Sequence, residues 1–113
     1  MMNFKEVLLI NKDEPLLNAW KKIESNKQGI VFVVNNKYKL VGSLSDGDIR
    51  RSLIDNSNFP NLKAMDLMNE NPLTAIETDN LQLAEKRMRE AKVQCLVVKN
   101  KDDEIVGVIQ IFE

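Results

Sequence analysis

The sequence predicts an α+β fold built from two copies of one β-α-β-β-α unit, with the second copy lacking its last helix. The first observation behind this is internal repetition, which marks duplicated units. Shifted by 65 positions, Leu8 falls on Leu73, Asp13 on Thr78, Leu16 on Leu81, Ala19 on Ala84, Ile23 on Met88 and Gly42 on Gly107. A one-residue slip between these blocks brings Val33-Val34 onto Val97-Val98. The second observation is that short apolar runs and helically spaced apolar positions alternate in the same order in both halves. The third is a polar turn, Asn35-Asn36-Lys37 or Asn100-Lys101-Asp102-Asp103, set between two apolar runs in each half.

Each element follows from local chemistry. Residues 7–10 and 73–76 are short apolar runs and read as strands. Asp13 and Thr78 are good helix N-caps, and Pro15 suits a first helical turn. Leu16, Ala19, Trp20 and Ile23 then share one helical face, as do Leu81, Ala84, Met88 and Ala91. Residues 30–34 and 95–98 are continuous apolar runs that suit strands buried on both faces. The turns that follow are short enough for hairpins into strands at 40–44 and 105–109. Ser45 starts a further helix to about Ile54, with Asp48 placed to complete a capping box. Residues 1–55 form the first repeat, 56–63 a polar linker and 64–113 the truncated second repeat. The absent last helix makes the chain read as a fragment of a longer protein.

Composition excludes several function classes. A formal charge of −1 over 113 residues does not give the field of a general nucleic-acid binder. Apolar runs of about half a dozen residues are far short of the roughly 20 that span a bilayer, and no secretory signal is visible, so the expected location is cytoplasmic. There is no histidine and one cysteine, Cys95, set in an apolar run where it reads as a small buried hydrophobe. A catalytic thiol then lacks an activating base, and no catalytic residue is assigned. Asp46 and Asp48 have no third carboxylate to make a metal site, and no metal or required cofactor is expected.

The densest polar segment runs Gly42-Ser43-Leu44-Ser45-Asp46-Gly47-Asp48-Ile49-Arg50-Arg51. It joins a strand to a helix start, where unpaired N–H groups and the dipole attract phosphate. Ser45 could donate to a phosphate oxygen, Asp48 could accept from ribose hydroxyls, and Arg50 and Arg51 could add charge-assisted bonds. The alternative is a plain N-cap box with solvated arginines. The spacing around Gly47 is not that of a P-loop.

This segment, Gly-x-hydrophobic-Ser-x-x-Asp after a strand, resembles the signature of the cystathionine-β-synthase (CBS) domain. The second copy adds Asp66-Leu67-Met68, then Asn71-Pro72-Leu73-Thr74, Leu96-Val97-Val98 and Val106-Gly107, so the resemblance covers essentially the whole chain. It implies a tandem CBS pair, or Bateman module, whose repeats pack with pseudo-two-fold symmetry. It also implies a regulatory site for an adenosine nucleotide (AMP, ADP or ATP) or a nucleotide-sugar. In that site Ser45 would hold phosphate and Asp48 the ribose. Ile10, Gly29, Ile30 and Val31 would lie beside the base, and Arg50 and Arg51 would assist. Gln110 and Glu113 replace the Ser/Thr and Asp of the second copy, so one competent site per chain is expected.

The segment Ser45–Arg51 further resembles CBS pairs attached to sugar-phosphate enzymes of bacterial surface-glycan synthesis. A nucleotidyltransferase is the first choice for the attached catalytic domain and an arabinose-5-phosphate isomerase the second. The implied partners are a small nucleotide and a second copy in a homodimer, with neither nucleic acid nor membrane. An oligomerisation module without sensing is the alternative function. Trp20 reads as a core or interface anchor, Met65, Met68 and Met88 as core or interface filler, and Lys21-Lys22 and Lys86-Arg87 as solvated faces.

Overall fold

The computed structural model describes residues 4–55 and 61–111. It divides into two compact units, Met1–Pro72 and Leu73–Glu113.

Unit one contains α1 (Phe4–Leu8), β1 (Leu9–Asn11), α2 (Leu16–Asn26), β2 (Ile30–Val34), β3 (Leu40–Ser45), α3 (Asp46–Asp55) and α4 (Ala64–Leu67). Its sheet has the order β1-β2-β3, with β1 parallel and β3 antiparallel to β2. As the apolar run predicts, β2 is central and buried on both faces: Val31, Phe32, Val33 and Val34 are at most 3% exposed. Each such side chain contributes about 1.5–3 kcal/mol on burial, which favours this strand over any local helical preference. Leu16, Ala19 and Ile23 of α2 and Ile49 of α3 pack against Ile10, Val31, Val33 and Leu44.

Unit two contains β4 (Thr74–Ile76), α5 (Leu81–Ala91), β5 (Cys95–Lys99) and β6 (Ile105–Gln110), with sheet order β4-β5-β6 and the same strand directions. Each of these elements begins and ends 65 positions after its counterpart. Both helices end on a lysine in the left-handed region, Lys27 at φ 62° and Lys92 at φ 59°. Both hairpin turns are organised by one asparagine: Asn35 Oδ1 accepts from the N–H of Lys37 and Lys39, and Asn100 Oδ1 from those of Asp102 and Glu104.

Several details differ from the sequence reading. The 7–10 run is split, because Leu8 closes α1 and Leu9 opens β1; a short apolar run fits a buried helix end as well as a strand. The slip is absent, since Phe32 and Val97 pair with Leu9 and Thr74 at the constant offset, and Lys99 stands where Val34 does. Side-chain likeness favoured matching valines, whereas the ladder register decides the correspondence. Asp13 does not cap α2. Pro15 occupies that position without a side-chain bond, and Leu62 C=O receives the Leu16 N–H at 2.9 Å. Asn80, not Thr78, caps α5 by accepting from Leu83 N–H at 3.1 Å. Leu81 and Ala91, at the ends of α5, are exposed, so its buried face is Ala84 and Met88.

The segment around α4 belongs to unit one by contact. Ala64 N–H donates to Glu14 C=O, Met65 N–H to Lys12 C=O, and Ala64 is fully buried in the unit-one core. Ser43 and Asn69 exchange both backbone bonds, at 3.0 and 2.8 Å. The predicted linker 56–63 is therefore bonded to unit one at Leu62, while residues 56–60 lie outside the described residues.

Candidate functional site

The strand-to-helix junction β3–α3 is built by a reciprocal pair. Ser45 Oγ accepts from Asp48 N–H at 3.1 Å, and Asp48 Oδ2 accepts from Ser45 N–H at 3.0 Å. This capping box satisfies one helix-start donor and the N–H of the capping residue. It also leaves capacity for a ligand. The Ser45 hydroxyl acts only as an acceptor here, so its own proton remains to be donated. Asp48 has two oxygens with about four lone-pair positions, of which one bond from Ser45 and one from Arg51 use two. Capping and ligand binding are thus compatible readings of the same two side chains.

Ladder pairing sets Ile30 directly opposite Ser45, and Asp46 N–H donates to Gly29 C=O at 3.0 Å. Gly29, Ile30, Ser45 and Asp48 are therefore brought to one end of the sheet. Gly29 has φ 75°, a region that glycine enters without steric cost. Ser45, Asp48 and Ile30 are half-buried. Val31 and Ile10 are core residues, 0% and 2% exposed with their backbone included, so neither offers open surface beside Ser45. Arg50 pairs with Asp46, and Arg51 with Asp48 at 2.7 Å. Both arginine side chains are about 70% exposed, and such pairs are worth only ~0–1 kcal/mol, so a phosphate can compete for them.

One supporting contact escaped the sequence reading. A Cβ on Gly42 would sit 2.7 Å from Met68 Sδ and 2.9 Å from Asn69 C=O. The Met68–Asn69 strand-like segment thus lies against β3 three residues before Ser45. A lone glycine inside a strand signals such a close backbone approach.

At the same place in unit two, Cys95 pairs with Gln110, and Ile111 N–H donates to Gln94 C=O at 2.8 Å. Gln110 is exposed, and Glu113 lies outside the described residues. Burial pushes the Cys95 thiol up to about 11, so it stays protonated and unreactive at neutral pH. Among the described residues no group of three His, Cys, Asp or Glu side chains could hold a metal ion, and no helix is long and apolar enough to cross a membrane.

The sequence profile of the CBS domain matches residues 3–55 and again 64–111. The chain belongs to the CBS domain family. It is a tandem CBS pair, the second match beginning at 64 although the chain from there to Pro72 is packed with unit one. It is similar to arabinose 5-phosphate isomerase KpsF of Escherichia coli, 30% identical over 108 residues that make up 96% of this chain and 33% of the relative. The chain spans about a third or less of the length of the curated relatives it matches. Among solved structures it resembles a conserved protein from Geobacillus kaustophilus (TM-score 0.82, 18% identity, 97% of this chain and 85% of the other). It also resembles a CBS domain protein from Pyrobaculum aerophilum complexed with AMP (TM-score 0.77, 22% identity, 96% and 87%). At these identities the structural likeness shows the CBS-pair fold.

Proposed function

We propose that this CBS pair is a regulatory module that senses an adenosine nucleotide in unit one and acts on an attached sugar-phosphate enzyme. The observation that carries the reading is the Ser45–Asp48 pair, which holds a hydroxyl proton and carboxylate lone pairs at a helix start beside Gly29 and Ile30. The hydroxyl and the α3 N-terminus receive phosphate, Asp48 receives ribose hydroxyls, and the arginines exchange their surface carboxylates for phosphate. AMP in the Pyrobaculum structure supports the ligand class, and a nucleotide-sugar is the variant to test beside it. Of the two attached enzymes the sequence resemblance brought forward, the isomerase is the one that a 30% identical relative favours over the nucleotidyltransferase. The expected setting is cytoplasmic. Regulation requires the nucleotide to bind one arrangement of the protein better than another. Calorimetry of the chain against AMP, ADP, ATP and UDP-, GDP- and CMP-linked sugars tests the reading. Saturable 1:1 binding of an adenosine nucleotide supports it; heatless titrations with all of them, on a chain whose circular dichroism shows it folded, remove it.

An assembly role is the second reading. Leu17 is 47% exposed on α2 and, with Trp20, Lys21 and Glu24, lines a groove of about 370 Å³. A second copy covering this face gives a homodimer. Sedimentation equilibrium of the chain and of Leu17→Asp distinguishes the readings: a dimer lost in the variant supports assembly, and a monomer at all concentrations rejects it.

A further inference from the structure

The outer edge of β1 carries a polar cavity. β1 is an edge strand, and its outward groups are held by side chains instead of by another strand. Lys22 Nζ donates to Leu9 C=O at 2.8 Å, and Asn11 N–H donates to Glu14 Oε2 at 3.3 Å. Beside them lies a cavity of about 300 Å³ whose walls include Lys5, Lys22, Glu14, Asn36 and Tyr38. That volume is at the small end of ligand pockets, which run from about 300 to 1,000 Å³. The cavity reaches Val34, at the far end of β2 from the Ile30–Ser45 pair. Four residues of strand rise, about 13 Å, separate the two places.

Tyr38 is the telling residue. It sits at φ 60°, a region where a bulky side chain is a genuine outlier. The same turn position in unit two holds Asp103 at φ 62°, a residue type that tolerates this region. Tyr38 is 65% exposed, and its hydroxyl has no hydrogen-bond partner among the described residues, so the fold gains little from a tyrosine there. Strain without a packing return points to binding. The neighbours have matching spare capacity. Lys22 uses one of three N–H donors and Glu14 one of two oxygens. The two remaining Lys22 donors favour an anionic group beside them. In unit two Lys101 and Asp103 take the places of Asn36 and Tyr38, so this chemistry is not repeated there.

We infer that this cavity binds a small phosphorylated sugar or polyol. Lys22 faces the phosphate, the free Glu14 oxygen and the Asn36 amide take hydroxyls, and the Tyr38 ring covers the ligand. The inference stands apart from the nucleotide reading and survives its failure. The test is amide-shift mapping of the 113-residue chain with ribose 5-phosphate, ribose and inorganic phosphate at equal concentration. Ribose 5-phosphate shifts the Asn11, Asn36 and Tyr38 amides in a saturable way, while ribose and phosphate alone do so at least about tenfold more weakly. Tyr38→Asp, which installs the residue type of unit two and keeps the turn, weakens that binding about tenfold or more, and Ser45→Ala leaves it unchanged. Absence of saturable shifts, equal binding of inorganic phosphate, unaltered binding by Tyr38→Asp, or loss of binding in Ser45→Ala overturns the inference.

Discussion

Gly42 and Gly107 hold the same place in their units and meet different surroundings. Gly42 lies under Met68 and Asn69, whereas no described residue comes within 4 Å of a Cβ built on Gly107. The strands follow suit: β3 buries Gly42, Ser43 and Leu44, while no residue of β6 is fully buried. Three positions further on, unit one has Ser45 opposite half-buried Ile30, and unit two has Gln110 opposite Cys95, which is 1% exposed. One backbone plan thus serves two purposes. In unit one a covering segment braces the strand that leads into a hydroxyl–carboxylate pair. In unit two the same backbone carries neither feature among the described residues.

The largest expected effect separates the two glycines. Gly42→Ala forces a methyl against Asn69 C=O and Met68, and overpacking of that kind costs about 1–3 kcal/mol, here near the upper end because a backbone atom is involved. Gly107→Ala changes stability by less than about 1 kcal/mol and stabilises if anything, since alanine restricts the unfolded chain. Urea midpoints of the two variants measure the difference; equal losses would erase the contrast.

Cys95 gives the next effect. Its thiol is raised from 9.0 to about 11 by burial, so the folded state holds a proton that the unfolded state releases from about pH 9 upward. The stability this group contributes is whole below pH 9 and is lost as pH rises through 11, an effect on the order of 2 kcal/mol. Stability curves of the native chain and Cys95→Ala between pH 8 and about 11 isolate it. The native chain falls more steeply; parallel curves would mean that the thiol meets water and that unit two is open where unit one is.

The smallest effect compares helix starts. Asn80→Ala removes a cap and costs about 1 kcal/mol. Asp13→Ala changes little, because Asp13 has no bond to the start of α2, whose Leu16 N–H goes to Leu62 C=O. Thermal melts of the two variants measure this.

The repeated elements were legible because they follow from period and turn chemistry that recur at a fixed offset. The Ser45–Asp48 pair was legible for a related reason: a capping box is complete within four residues. What escaped was non-local. The role of residues 62–69 depends on Leu62, Ala64 and Asn69 meeting Leu16, Glu14 and Ser43 across long stretches of chain, and only the lone Gly42 hinted at it. The false slip arose because Lys99 takes a strand position that Val34 takes in the first copy, and residue type outweighed register. Asp13 and Thr78 had the right chemistry for caps, but a cap also needs the right backbone, and that was given to Pro15 and Asn80.

Amide-shift mapping of the chain with AMP tests whether unit one alone holds an adenosine nucleotide, through Ser45 and Asp48. Saturable shifts are expected at Gly29, Ile30, Ser45 and Asp48, abolished by Ser45→Ala with Asp48→Ala, with quiet signals at Cys95 and Gln110. Shifts centred on Gln94, Cys95 and Gln110, or unchanged binding in the double variant, would contradict it.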